Sequence, residues 1–389
     1  MIGLFDQWRI RAAARQARSR LERLKREGGL PRIALVKQDC NEDLYCCAPE
    51  TAAFEMLQST LLRSGPIGLF TTFETDFLIL RTEPDPECNI WREKWDPLRW
   101  CPVEWFESFR DHVPGRDHGQ SRFAQAADQV DWSKYDIVIS IDVSVPARIT
   151  RQFPGVVWAY YVREIKMPSY AASFDAPISG QDLYLTHGFM PRRTRGKRHV
   201  VDFPYHFHHA GLFHLLAGRA WPGSERRGVF VDYHSAREAT DAELARLEAF
   251  GPVYAKRVAD DKADAATGER IPERSMSPEG FEALMRCKYH VKWNGRKTFG
   301  TAKVEAIAAG CLALVETRND GSAFLQGKAC SFDGFDGLIA RLQALEDDRA
   351  LYQRNLEHQQ RLLDYLCYLR PANDLIDAWH ATMERKSRR

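Results

Sequence analysis

The chain has 389 residues, of which 44% are hydrophobic, 28% charged and 11% aromatic. This length predicts two or three domains, and the hydrophobic fraction excludes a largely disordered chain. The 55 basic and 53 acidic side chains leave a net charge of +2, which argues against a dedicated nucleic-acid-binding protein. No apolar run approaches the roughly 20 residues of a membrane span, and no secretory signal opens the chain. Nine scattered cysteines without a Cys-x-x-Cys pair predict reduced thiols and a cytoplasmic location.

The first 28 residues have a larger net positive charge than the whole chain. Eight basic and three acidic side chains give this segment +5, and its Ala, Arg and Leu content without proline predicts a helix. Two interpretations remain open. The helix is either a solvated element packed loosely on the body, or an interfacial helix attracted to anionic lipid at the inner face of the cytoplasmic membrane. In the second case we expect its removal to leave the fold intact.

Strands and helices alternate through the rest of the first half. The pattern predicts strands at 32–37, 135–142, 155–161, 182–186 and 198–203, a short apolar run at 77–81, and helices at 51–63 and 145–151. The stretch 82–133 is rich in Pro, Trp and Asp, and we expect irregular structure there.

The alternation restarts after a polar, proline-bearing joint at 217–227. It predicts strands at 228–233, 252–257, 289–293 and 312–316, helices at 241–250, 278–287 and 302–309, and mostly helix over 336–386. Strands separated by helices are typical of parallel α/β sheets. We therefore predict an α/β fold with a basic helix at 1–29, a Rossmann-like domain at 30–216, and a second one at 217–389 that ends in helices. Ligands of such sheets bind at the carboxyl ends of the strands, so a cleft between the two domains is the expected site.

Residues 289–315 form the most informative segment, a strand, a loop, a helix and a second strand. Gly295 and Gly300 permit a tight loop with exposed backbone N–H groups, and Arg296 and Lys297 add positive charge to it. The N-terminus of the following helix attracts anions. Together these features predict a phosphate-binding loop.

The helix is predicted to begin near Thr301. Glu305 then lies about one turn into it, where its carboxylate can accept hydrogen bonds from a ribose diol. Gly310 lets the helix end close to the start of the next strand. The alternative is an ordinary crossover with a surface glutamate and two solvated basic residues.

This segment resembles the donor-binding signature of GT-B glycosyltransferases, especially the large retaining family 4. The matching positions are Phe299, Gly300, Glu305, Ala306, Ala308 and Gly310. The resemblance implies a GT-B architecture of two Rossmann-like domains facing across a cleft, and it gives Glu305 the ribose of a nucleotide-sugar donor. The family usually has a glutamate where this chain has Lys297.

Two acidic residues at predicted strand ends are candidate general bases for an acceptor hydroxyl. Asp142 ends one strand of the first half, and Glu164 follows the next. Either carboxylate could take the acceptor proton if its geometry allows. Equally, Asp142 could cap the following helix, and Glu164 could pair with Arg163.

Other clusters weigh less. The basic stretch 192–199 either receives an anionic acceptor or is solvated. Four histidines at 206–214 lack acidic or cysteine partners at zinc spacing, so no metal site is expected. The resemblance implies that basic groups and helix ends manage the leaving diphosphate without a metal or other cofactor, and Arg237 and Lys256 at neighbouring strand ends are further candidates.

These observations predict a glycosyltransferase that moves a sugar from a nucleotide-sugar to a glycan or lipid-linked glycan. The resemblance implies a setting in bacterial surface polysaccharide biosynthesis. Two alternatives stay open, a nucleotide-sugar epimerase of the same two-domain architecture and a non-catalytic membrane-associated scaffold.

Overall fold

Over the residues that it describes, the computed structural model contains two large parallel sheets with flanking helices and a separate pair of short parallel strands. It describes residues 4–38, 45–47, 68–80, 100–102, 126–141, 144–162, 179–186, 197–204, 207, 226–233, 239–256, 283–284, 286–293, 301–317 and 327–388. The strands in chain order are β1 Ile33–Gln38, β2 Tyr45–Cys47, β3 Thr75–Leu80, β4 Trp100–Pro102, β5 Ile137–Ile141, β6 Val157–Val162, β7 Leu183–Thr186, β8 Val200–Asp202, β9 Val229–Tyr233, β10 Val253–Lys256, β11 Tyr289–Trp293, β12 Leu312–Glu316 and β13 Ser331–Phe332.

The described residues include eight α-helices. They are α1 Leu4–Glu27, α2 Leu69–Thr72, α3 Ala147–Thr150, α4 Asp241–Leu247, α5 Thr301–Ala309, α6 Gly334–Asp347, α7 Arg349–Asp364 and α8 Arg370–Ser387, and a π-helical turn at Tyr365–Leu369 joins the last two. The α/β fold with two parallel sheets is therefore confirmed.

The chain divides into two compact units, which we call the six-stranded unit and the five-stranded unit after their sheets. The six-stranded unit comprises residues 14–208 and 366–389, and the five-stranded unit comprises residues 1–13 and 209–365. This division differs from chain order, because the last helix does not group with the sheet that precedes it.

The six-stranded sheet has the order β3-β1-β5-β6-β7-β8, and every pairing in it is parallel. The described residues of its central strands β5 and β6 are buried, because aliphatic and aromatic side chains fill both faces, as expected for a parallel sheet with helices on each side. On one face the core gathers around Trp132 and Trp158, whose rings meet edge to face at 5.4 Å.

The C-terminal helix α8 completes the six-stranded unit. Lys386 Nζ donates to the backbone oxygen of Val156 at 2.6 Å and lies 2.7 Å from an Asp182 carboxylate oxygen. Arg370 Nη2 donates to Asp202 at 2.6 Å. These bonds tie both ends of α8 to strands of the sheet, and its buried Leu375 and Ile376 face the interior.

Helix α1 presents different residues to the protein and to solvent. The residues turned inward recur every three or four positions and are mostly small: Ile10, Ala13, Ala14, Ala17, Leu21 and Leu24. Asn373 Nδ2 donates to the backbone oxygen of Ala17 at 3.1 Å, and Arg20 pairs with Asp377. The segment from residue 14 onward is therefore part of the unit, not a removable appendage.

The five-stranded sheet has the order β10-β9-β11-β12-β13, again parallel throughout. One face packs against α4, α6 and α7 through an apolar cluster that includes Val231, Val291, Leu314 and Leu342. Helix α4 begins with a capping box, in which the Thr240 hydroxyl and the Glu243 carboxylate satisfy each other's backbone N–H groups.

Three short strands lie where no strand was predicted, and the six-residue strand β3 covers the stretch that was predicted only as a short apolar run. β2 and β4 pair as a separate two-stranded element, and β13 adds two residues to the edge of the five-stranded sheet. Among the residues that the structure describes, no helix is both long and apolar enough to cross a bilayer.

Candidate functional site

The segment predicted to hold the donor has the expected order of elements. β11 is followed by α5, which begins at Thr301, and then by β12. From Lys303 to Ala309 every residue of α5 is buried. Glu305 is only 7% exposed, so the alternative of a surface glutamate on an ordinary crossover does not describe this helix. A buried carboxylate is retained only where a partner compensates its desolvation.

Gly310 ends α5 for two identifiable reasons. Its φ of +98° lies in the left-handed region that favours glycine. Its N–H donates to Ile307 O, and the N–H of Cys311 donates to Ala306 O, which is the Schellman pattern of a helix C-terminus. A Cβ at this position would also come within 3.0 Å of Nε of Arg226. The predicted role of Gly310 in ending the helix is confirmed.

The guanidinium group of Arg226 lies beside Gly310 and contacts two cysteine residues. Its Nη1 donates to the backbone oxygen of Cys287 at 3.0 Å, and the same Nη1 lies 3.5 Å from Cys311 Sγ. Burial raises the pKa of the Cys287 thiol to about 12 and that of Cys311 to about 11, although the Arg226 charge acts in the opposite direction. Both thiols therefore stay protonated at neutral pH, and neither is a nucleophile.

A buried charged pair lies near the carboxyl ends of β9 and β11. Lys292 Nζ donates to Asp232 Oδ2 at 2.5 Å, and the two side chains are 9% and 3% exposed. The two residues are register partners on adjacent strands. His290 Nε2 lies 3.8 Å from the same carboxylate oxygen, and the His290 ring stacks on Phe230 with centroids 5.6 Å apart.

Sequence reasoning missed this pair, although a signal was present. Each charged residue interrupts a strand of otherwise apolar or aromatic residues, Asp232 within GVFVDY and Lys292 within YHVKW. A charge that must be buried in a parallel sheet is costly unless it is paired. Two such strands in one sheet therefore indicate that the charges meet.

Most of the other predicted site residues lie outside the described part of the chain. These are Asp142, Glu164, Arg237, Gly295, Arg296, Lys297, Phe299 and Gly300. The elements that lead to them are present: β5 ends immediately before Asp142, and β6 ends two residues before Glu164. Thr301 begins α5 and Lys256 ends β10, so both lie at the carboxyl edge of the five-stranded sheet, as predicted.

The remaining candidate clusters are only partly described. The first five residues of the basic stretch 192–199 and all four histidines at 206–214 fall outside the described ranges. Among the side chains that the structure does describe, no three His, Cys, Asp or Glu residues gather so that they could hold a metal ion.

Comparison with known proteins gives only distant matches. No family model matches the chain, and no curated protein matches its sequence. Among solved structures, the sucrose-phosphate synthase of Thermosynechococcus elongatus is similar over 92% of this chain and 97% of its own, with 11% identity and a TM-score of 0.37.

Two further solved structures have the same level of likeness. A DNA-modifying β-glucosyltransferase, studied with and without uridine diphosphoglucose, matches over 91% of this chain and 99% of its own, at 12% identity and a TM-score of 0.40. The Anabaena protein HepE in complex with UDP matches over 89% of this chain and 98% of its own, at 10% identity and a TM-score of 0.38. At these values no residue role is transferred from those proteins to this chain.

Proposed function

We propose that this protein is a glycosyltransferase that uses a nucleotide-sugar donor. The observation that carries the proposal is the burial of Glu305 in α5, one turn after the loop that joins β11 to that helix. A carboxylate in this position can accept two hydrogen bonds from a ribose diol, while the helix N-terminus attracts the diphosphate. The residues from Phe299 to Gly310 that resemble the GT-B donor signature support the same assignment.

The donor diphosphate gains negative charge as the sugar departs. Arg296 and Lys297 precede the N-terminus of α5, and they supply a preorganised positive potential for that charge. Arg237 and Lys256 follow neighbouring strands and contribute in the same way. Gly295 and Gly300 give the loop the backbone freedom to approach phosphate oxygens. In this account no metal ion is needed, and we expect activity to survive chelation by EDTA.

The acceptor is assigned to the six-stranded unit. If the sugar is transferred with inversion, Asp142 or Glu164 takes the proton of the acceptor hydroxyl. If configuration is retained, the proton passes to the donor phosphate. A glycan or lipid-linked glycan acceptor, in bacterial surface polysaccharide biosynthesis, is the substrate class that the family resemblance favours.

The exposed face of α1 supports a peripheral position on the inner face of the cytoplasmic membrane. Most of its cations are exposed, whereas the small residues that face the protein are half-buried. The exposed cations include Arg11, Arg15, Arg18, Lys25 and Arg26. An anionic lipid surface attracts such a face with roughly 1 kcal/mol for each basic residue close to it.

A thermal-shift screen with UDP, GDP, dTDP, ADP and CMP tests the proposed function. A nucleotide at about 100 times its Kd stabilises the protein by roughly 2.7 kcal/mol, which raises the Tm by several degrees. Incubating the protein with the matching nucleotide-sugar, without acceptor, then separates the alternatives. An epimerase converts the donor to a new sugar, whereas a scaffold shows no nucleotide binding at all. Either result would overturn the assignment.

A further inference from the structure

The strand order of the five-stranded sheet defines a ligand-binding position. β9 continues through α4 to β10 on one side, whereas β11 continues through α5 to β12 on the other. Successive strands are therefore added toward one edge of the sheet from β9 and toward the other edge from β11, so the strand order reverses between these two neighbours. In open parallel sheets, ligands bind outside the carboxyl ends of the two strands at such a reversal, because the loops that follow them diverge to opposite faces.

The faces can be assigned from the packing. Leu247 of α4 packs on the face that carries Val231 and Val291. Right-handed crossovers that run in opposite directions place their helices on opposite faces, so α5 covers the other face. Side chains alternate along a strand, and Asp232 and Lys292 therefore lie on the α5 face, each one residue before the end of its strand.

The buried pair thus occupies the reversal point of the sheet, on the side where α5 begins. A buried ion pair is weak support for stability, because apolar residues of similar volume usually serve a core at least as well. Here the next row of the same face is aromatic, with Phe230 stacked between Tyr254 and His290 at 5.0 and 5.6 Å. The charges appear only at the edge, where a ligand would be bound.

We propose that Lys292 is a phosphate-binding residue of the donor site, and that Asp232 is its positioning residue. The Asp232 carboxylate accepts a hydrogen bond from the Lys292 ammonium group at 2.5 Å. An ammonium group has three N–H donors, so Lys292 keeps two of them for oxygens of a bound nucleoside diphosphate while it remains paired. This inference rests on the proposed function, because it assumes that a nucleoside diphosphate enters this edge of the sheet.

The test compares nucleotide and nucleoside binding by isothermal titration calorimetry. UDP, GDP, dTDP and ADP are each paired with the corresponding nucleoside. The variant D232N/K292M removes both charges and leaves no buried charge unpaired. We expect it to raise the Kd of the nucleoside diphosphate at least tenfold and to leave the Kd of the nucleoside unchanged, because the lost contact is to phosphate. D232N keeps the lysine charge but removes the carboxylate that positions it, and we expect a rise in the Kd of the nucleoside diphosphate that is smaller than in D232N/K292M.

The chain offers a matched control at the opposite edge of the sheet. Lys288 lies just before β11 and also pairs with a carboxylate, that of Glu346, at 2.8 Å. The variant K288M removes a lysine from an ion pair at the amino end of the same strand. We expect it to bind every nucleotide as the wild-type protein does.

The outcomes separate this inference from the proposed function. If the wild-type protein binds none of the four nucleoside diphosphates and does not bind CMP, the proposed function fails. If it binds CMP alone, only this inference fails. If the wild type binds one of the four and D232N/K292M binds it equally well, the pair is purely structural and only this inference fails.

Should the double variant not fold, ¹⁵Nζ NMR of the wild-type lysines decides, with the Lys292 signal assigned by its absence in K292R. A shift of that signal on nucleotide addition supports the contact, and an unchanged signal overturns it.

Discussion

Gln359 forms both side-chain hydrogen bonds with one residue, Ala313. The Ala313 N–H donates to Oε1 at 2.9 Å, and Nε2 donates to the Ala313 carbonyl oxygen at 2.8 Å. Ala313 lies in β12, whose outer neighbour β13 pairs only with Val315 and Glu316. The glutamine of α7 thus takes the place of a strand along the part of β12 that β13 does not reach.

We expect Q359L to lower the free energy of unfolding by about 2 kcal/mol or more, because it leaves a buried N–H and a buried carbonyl without partners. Urea denaturation measures the change. The neighbouring Gln360 is exposed, and Q360L should change stability by no more than about 0.5 kcal/mol. Equal effects of the two variants would show that the edge of β12 needs no cap.

The two glycines Gly310 and Gly337 predict opposite responses to alanine. G310A places a Cβ at φ +98° and 3.0 Å from Arg226 Nε, and we expect it to destabilise the protein by about 2 kcal/mol. Gly337 lies inside α6, where an added Cβ would meet only Phe332 Cβ at 3.8 Å. G337A should stabilise by about 0.5–1 kcal/mol, because alanine is the better helix former. Thermal unfolding of the two variants checks the contrast.

Glu305 is expected to bind the ribose of the donor. E305Q keeps the shape of the side chain but loses charge-assisted acceptance, worth about 1.5–3 kcal/mol, so the donor Kd should rise tenfold or more. Calorimetry with the nucleotide selected by the thermal-shift screen measures it. E357Q, at an exposed position of α7, is the control. Unchanged nucleotide affinity in E305Q would remove Glu305 from the site.

The loop cations are expected to act on the leaving diphosphate. R296A or K297A should lower kcat by about 10²–10³ and raise the donor KM much less, because the charge they stabilise develops in the transition state. Release of nucleoside diphosphate from the nucleotide-sugar reports both constants, and K288A serves as the control. K297E should be worse than K297A. If K297E kept or improved turnover, residue 297 would face the sugar, as the glutamate of the family does.

The exposed cations of α1 are expected to hold the protein on anionic lipid. Changing Arg11, Arg15, Arg18, Lys25 and Arg26 together to glutamine should leave the Tm nearly unchanged and weaken binding to phosphatidylglycerol-containing vesicles at least tenfold. Vesicles of phosphatidylcholine alone provide the uncharged reference. R349Q/R354Q/R361Q, on the exposed face of α7, should bind anionic vesicles as the wild type does. Vesicle binding that does not depend on the charges of α1 would contradict this role.

The sequence allowed the strands of both sheets to be predicted closely, because buried parallel strands read as continuous apolar runs. The two-residue strand β13 left no such pattern, and neither did β2 or β4. The edge cap by Gln359 could not be foreseen, since it depends on how α7 packs. A charge in each of two apolar strands did signal a pair between Asp232 and Lys292, but the residues are 60 positions apart, and the register that joins them is a property of the assembled sheet. The position of Glu305 in its helix could be predicted, because the helix is defined by residues that are neighbours along the chain; its role in donor binding stays a prediction.

The return of α8 to the six-stranded sheet has a consequence for the order in which the chain matures during synthesis. A ribosome releases segments from the N-terminus onward, and domains usually fold as they emerge. Residues 209–365 become available before residues 366–389, which complete the six-stranded unit. The five-stranded unit can therefore fold on the nascent chain before the six-stranded unit, whose strands are synthesised first, receives helix α8.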